Sequence, residues 1–378
     1  MVQSGLEGVV AATTRLSDID GERGELVIAG FRVGELAEHA TFEETTWLLW
    51  HGDLPSASQL EALRAELAGA RALPAATVAL LRACAERGMA PMDALRVAAG
   101  SISLVSAEPS AIVAQCPSIV AAFWRLSRGA EPIAARDDLG HAANFLYMLN
   151  GETPDPERVR GLETYLNTVV DHGLNASTFT ARVITSTGSD LVSAVVGAIG
   201  ALKGPLHGGA PGPALDMVFE IGEASRAEAI LRAKIEAGEK LMGFGHRVYK
   251  VRDPRADVLA VAAERMYTRA GDMALYMLAR AVESTALRLL EEYKPGRRLQ
   301  TNVEFYTALL LHGLGLEVPL FTPTFAIGRV SGWIAHALEQ RAANRIIRPQ
   351  SEYTGPRSRK WVPLVERRDA ARAPIGGY

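Results

Sequence analysis

Two of the eight histidines lie in glycine-rich loops rather than on helix faces: His207 in Gly204-Pro-Leu-His-Gly-Gly209 and His246 in Gly243-Phe-Gly-His-Arg-Val-Tyr249. Glycine lets a backbone approach a ligand and offer N–H groups, and loops on a helical scaffold are where reactive side chains collect. Either loop alone reads equally well as a tight turn bearing a surface histidine. The second runs on into Lys250-Val-Arg-Asp-Pro-Arg255, which clusters cations beside His246 and points to recognition of phosphate or carboxylate. A third histidine lies in Asp171-His-Gly-Leu-Asn-Ala-Ser177, a segment that taken alone reads as a helix-capping cluster. Asn302-Val-Glu-Phe-Tyr306 places a carboxylate in an apolar stretch, where desolvation would raise its pKa and make Glu304 a useful base. Arg329, in Phe325-Ala-Ile-Gly-Arg329, and Arg348, in Ile346-Ile-Arg-Pro349, interrupt apolar surroundings; an isolated arginine of this kind usually makes a structural ion pair.

Helices must position these groups, because helical periodicity dominates the chain. Leu60, Leu63, Leu67 and Ala70 recur at three- and four-residue steps with Glu61, Arg64 and Glu66 on the other side. Similar patterns cover Pro91 to Leu104, Ile112 to Leu126, Asp257 to Met266 and Ala274 to Tyr293. Ser189 or Asp190 can cap a helix over Leu191 to Leu202 that stops at Gly204-Pro205, just before the His207 loop. Gly197, Ala198, Gly200 and Ala201 leave one flank of that helix nearly bare, for close packing either within the chain or across a dimer interface. Alternation with period two is confined to the start, where 9–15 and 25–28 flank the turn-rich Asp18-Ile19-Asp20-Gly21 as a small hairpin. The expectation is an all-α fold of roughly twenty helices with minor strand content.

A chain of 378 residues is expected to hold two domains. With 40 Lys plus Arg against 43 Asp plus Glu, its net charge of -3 calls for neither nucleic acid nor a membrane surface. The apolar runs are too short to cross a bilayer, and no leader pattern follows Met1. Cys84 and Cys116 have no metal-type spacing, so a reducing cytoplasmic setting is expected and no metal. The one charge cluster, around Arg357, Arg359 and Lys360, is expected to be exposed or bound to a partner.

In order along the chain, His172-x-x-Asn-Ala-Ser, Gly-Pro-Leu-His207-Gly-Gly, Gly-Phe-Gly-His246 through Asp-Pro-Arg255, Asn-Val-Glu304-Phe-Tyr, Arg329 and Arg348 resemble the citrate synthase family. The opening Gly5-Leu-Glu-Gly8-Val and Ile19-Asp-Gly21 are similar to bacterial members. The resemblance implies a large helical domain from 1–208 and 316–378, a small one from 209–315, and an active site in the cleft between them. It also implies a homodimer in which Arg348 reaches the partner's site.

The implied activity is condensation of acetyl-CoA with oxaloacetate, followed by hydrolysis of citryl-CoA, without a metal or other cofactor. By resemblance, Glu304 removes the methyl proton, neutral His207 donates to the thioester oxygen, and His246 polarises the ketone. His172, Arg255, Arg329 and Arg348 would hold oxaloacetate, and Gly243, Gly245 and Lys250 are expected at coenzyme A. Gly208 to Gly212 and Gly243 to Gly245 are a candidate hinge and lid. Two positions depart from the familiar pattern. It has Asp where this chain has Glu304, a base one methylene longer, and Asn or Glu where Ala210-Pro-Gly-Pro213 follows the His207 loop. A 2-methylcitrate synthase using propionyl-CoA keeps the same chemistry, and a non-catalytic acyl-CoA-binding homologue is the alternative of another class. A site of three histidines holding a metal is the least favoured reading, because no paired ligand spacing exists.

Overall fold

The structure is a computed structural model and describes residues 4–6, 8–104, 108–208, 211–246 and 248–367. Glu7 of the opening motif, Gly209 and Ala210 of the hinge segment, and Arg247 of the His246 loop lie outside the described residues. Among the described residues are sixteen α-helices and one small sheet, so the fold is mostly helical. Helices are fewer than average lengths suggest because several are long: Ala274–Tyr293 has 20 residues and Phe321–Ala342 has 22.

Local chemistry explains the boundaries. Asp190 caps Leu191–Leu202 by accepting from the Ser193 N–H at 2.8 Å, and Thr41 and Glu44 close a reciprocal capping box on Phe42–His51. The apolar stripe of the 57–70 segment forms the Ala57–Ala70 helix, which buries Leu63 and Leu67. A methyl added at Gly197 would lie 2.2 Å from Ile184 Cδ1, so at that position the bare flank serves packing on the Ala176–Ser186 helix of the same chain.

The hairpin differs from its reading. Its strands are β1 (Ser17–Asp20) and β2 (Glu25–Ile28), antiparallel with Ser17 opposite Ile28, and β3 (Phe31–Arg32) adds to β2. Asp18 to Asp20, read as turn, are strand, and the reversal falls at 21–24. Leu26 and Ile28 supply the buried face, so register follows them rather than the polar composition of Asp18-Ile-Asp20.

Phe321–Ala342 runs through the core with Arg329, Trp333 and His336 at most 1% exposed. It lies so close to the end of the Pro156–Val169 helix that a Cβ on Gly332 would stand 2.1 Å from Val170 O. Cys84 and Cys116 are buried and unpaired, and burial pushes the Cys116 thiol up to about 12. No single helix among the described residues is long and apolar enough to cross a membrane. Contacts divide the chain into Thr13–Ile347 and a second unit of Met1–Ala12 with Arg348–Tyr378. Arg357, Arg359 and Lys360 in the second unit are exposed.

Candidate active site

Glu304 stands in the first turn of Val303–Gly313, whose cap is Asn302; the Asn302 Oδ1 accepts from the Glu304 N–H at 3.0 Å. The residues before it pair with the His246 loop. The Gly245 N–H donates to Gln300 O (2.7 Å), Asn302 N–H to Gly243 O (3.0 Å) and Asn302 Nδ2 to Gly245 O (2.9 Å). Gly243 and Gly245 have φ of 88° and 84°, which suits glycine. Glu304 and the His246 loop are therefore one structural piece.

Buried Asp253 ties that piece to Arg255. Its carboxylate accepts from Arg255 Nε (3.0 Å) and Nη2 (2.8 Å), caps Pro254–Ala270 through the Arg255 N–H, and accepts from the Val303 N–H at 3.2 Å. Arg255 Nη2 then lies 3.3 Å from His246 Nε2. His246 Nδ1 accepts from the Val248 and Tyr249 N–H groups at 3.0 and 3.1 Å, which leaves the proton of a neutral ring on Nε2. His172 joins the group through Tyr249: its Nε2 is 3.1 Å from the Tyr249 hydroxyl, and its ring centroid is 5.8 Å from that of His246.

His207 is held from the other side. Its Nε2 lies 2.8 Å from Ser177 Oγ, which also accepts from Trp333 Nε1 at 3.1 Å, and so Nδ1 is the nitrogen left for a ligand. Asn175 caps Ala176–Ser186, and its Oδ1 accepts from the Thr178 N–H and, at 2.8 Å, from the Ser177 hydroxyl. Arg329 donates through Nε to Val169 O and lies 4.9 Å over the Phe325 ring, leaving the rest of its guanidinium for an anion.

The electrostatics of these groups are mutual. Burial, with Arg255 adding, lowers His246 to about 4, and burial with Arg329 lowers His207 to about 4. Burial, then Arg255, Arg329 and His246, hold His172 well below the ordinary range. All three rings are neutral at pH 7. Burial raises Glu304 to about 7, against the pull of Arg255 and with a push from Asp253. Burial lowers Arg329 to about 10, against the pull of Asp171. Neutral imidazoles, a carboxyl group able to exchange its proton near pH 7 and two buried guanidinium groups suit abstraction of a proton next to a carbonyl in one partner and binding of a second, dianionic one.

His172, His246, Arg255 and Glu304 are thus linked directly or through Asp253 and Tyr249, with Arg329 acting electrostatically on both His172 and His207. Arg348 belongs to the terminal unit and is exposed. Lys250 is exposed, with its N–H on Gly21 O at 2.9 Å. Sequence reasoning passed over Asp253, Tyr249 and Trp333. The first two stand inside the motifs, and Trp333 is one helical turn beyond Arg329, where an i+4 reading would have found it.

The family described as citrate synthase, C-terminal domain, matches residues 5–350. Citrate synthase 2 of Bacillus subtilis is 44% identical, covering 96% of this chain and 98% of the relative. The 2-methylcitrate synthase of Shewanella oneidensis is 38% identical, covering 96% and 98%. A solved citrate synthase from Thermoplasma acidophilum, in ternary complex with carboxymethyl coenzyme A and oxaloacetate, superposes with a TM-score of 0.89 at 28% identity, covering 97% of this chain and 100% of that one.

Proposed function

The chain belongs to the citrate synthase family, and from that premise we propose that it condenses acetyl-CoA with oxaloacetate and hydrolyses the resulting citryl-CoA. The observation that carries the reading is Glu304, a half-buried carboxyl group held near pKa 7 within the field of Arg255, on a segment whose backbone pairs with the His246 loop.

Glu304 takes a proton from the thioester methyl. His207 donates from Nδ1 to the thioester oxygen as the enol forms, once the Ser177 hydroxyl turns from Asn175 Oδ1 to His207 Nε2. The enol carbon attacks the keto carbon of oxaloacetate while His246 Nε2–H polarises the ketone and protonates the new alkoxide. Water then releases citrate and coenzyme A. Arg255, Arg329 and His172 fix oxaloacetate, and Asp253 orients the Arg255 fork. No step in this scheme uses a metal.

We also assign Gly243, Gly245 and Lys250 to the coenzyme A side of the loop, and 209–315 to a small domain that closes on 1–208 and 316–378. A homodimer supplying Arg348 from the partner is supported by the exposure of Trp361 (79%), Leu364 (74%) and Val365 (92%), apolar side chains that a second copy would cover. A cytoplasmic location follows from the same reading.

Propionyl-CoA differs from acetyl-CoA by one methylene, worth about 1–3 kcal/mol in an apolar pocket. The similarity to a 2-methylcitrate synthase makes it the second donor to try. Thiol release with oxaloacetate, measured with both donors in parallel and with the products identified by mass, tests the reading. Faster turnover of acetyl-CoA supports it, a propionyl-CoA preference moves it to 2-methylcitrate synthesis, and no release from protein that binds coenzyme A overturns both.

A further inference from the structure

The N-terminal hairpin touches two of the loops that carry the site. At its turn, Gly21 O accepts from the Lys250 N–H at 2.9 Å, and a Cβ on Gly21 would stand 2.4 Å from Val248 O and 3.0 Å from its carbonyl carbon. Gly24, at φ 68°, is as close: a Cβ there would meet Val251 Cγ2 at 2.7 Å and Arg252 O at 3.1 Å. The turn therefore lies backbone against backbone on 248–252, the stretch whose Val248 and Tyr249 N–H groups fix the proton of His246 on Nε2.

Along β1 the same hairpin reaches the His172 loop. Ser17 Oγ accepts from the Gly173 N–H at 2.9 Å and donates to Asp171 Oδ2, while Ile19 Cδ1 lies 3.2 Å from where a Gly173 Cβ would be. Asp171 is in turn 3.1 Å from His336 Nε2 in the core. One short ribbon thus spans from the backbone beside His172 to the backbone beside His246.

We propose that the β1–β2 hairpin is a positioning element for oxaloacetate recognition, setting the separation and orientation of the His172 and His246–Arg255 loops. The proposal rests on the reading that these loops hold oxaloacetate. A methyl at Gly21 must displace Val248 O by about 1 Å to reach ordinary contact, and a misplacement of that size costs on the order of a hundredfold where geometry is demanding.

The test is oxaloacetate affinity by titration calorimetry on the full-length ligand-free protein, with Gly21→Ala, Ser17→Ala and Ser17→Thr. Gly21→Ala and Ser17→Ala are expected to weaken oxaloacetate tenfold or more, and Ser17→Thr, which keeps the hydroxyl, to restore it. The KM for acetyl-CoA at saturating oxaloacetate should move less than twofold. In histidine-labelled protein, the ¹⁵N signals of His246 should change from one tautomer, protonated at Nε2, to a mixture in Gly21→Ala. If Gly21→Ala does not fold, the Ser17 pair tests the same ribbon from its other end. Unchanged oxaloacetate affinity in folded variants, or equal losses for both substrates in step with melting temperature, overturns the proposal. Absence of oxaloacetate binding to the wild-type protein overturns the functional reading as well.

Discussion

Lowering the pH from 8 to 5 should switch the protein off through one group. Glu304 sits at about 7 while His207 and His246 are each lowered to about 4, so between pH 5 and 8 the base titrates and the two imidazole donors stay neutral. With a single ionisation at about 7, the active carboxylate is about one half of the protein at pH 7, about a tenth at pH 6 and about a hundredth at pH 5. The kcat/KM for acetyl-CoA, which reports ionisations of the free enzyme, should therefore fall tenfold per unit below about 6.5 and level off above about 8. Discontinuous thiol assays, quenched and read at one fixed pH, separate this from the chemistry of detection. Stability provides an independent check of the same shift. The folded pKa lies above the ordinary 4.5, so the stability associated with the buried proton is present below 4.5 and is lost as pH rises through about 7. Glu304→Gln should accordingly melt above wild type at pH 8 and level with it near pH 4.5. A flat rate profile from pH 5 to 8, or a melting difference that does not change with pH, would refute the assignment of Glu304 as a buried base.

Three further outcomes follow from the surrounding structure. Trp333→Phe removes the N–H that anchors Ser177 and should lower kcat about three- to tenfold, the worth of about one hydrogen bond, while leaving oxaloacetate KM unchanged by steady-state kinetics. Glu283, which accepts from Arg252 (2.6 Å), Thr301 (2.7 Å) and Tyr306 and joins Ala274–Tyr293 to the segment before Glu304, should cost about 3–5 kcal/mol on replacement by Ala in urea unfolding. Gly332→Ala forces a methyl into Val170 O, so it should destabilise the fold by more than about 2 kcal/mol and weaken oxaloacetate, because Arg329 shares that helix contact.

The motif residues were more legible in the sequence than the groups that hold them. Helix 191–202 could be placed to the residue, with its cap narrowed to Ser189 or Asp190, because a strong N-cap and a Gly-Pro stop bracket one apolar run; the cap is Asp190. Glu304 stood out because a carboxylate between apolar neighbours has few places to be solvated. The second strand was read at 25–28, where it lies, but the first was placed at 9–15 instead of 17–20, since the buried face of β2 and contacts with distant loops set the register of β1 against its turn-like composition. Asp253 was passed over because its function depends on bringing its own segment and 300–304 together, a pairing of residues 50 or more positions apart that carries no local pattern. Trp333 was passed over although its helical step from Arg329 gives its face; the position of Ser177 shows that its N–H points to the site.

The central claim is that Glu304 removes the proton that starts condensation. Coenzyme A release from acetyl-CoA and oxaloacetate should be compared between wild type and Glu304→Gln, at a temperature well below the melting point of both. The account predicts a loss of about 10²–10⁴-fold with oxaloacetate binding retained. Equal rates in the two proteins would contradict it.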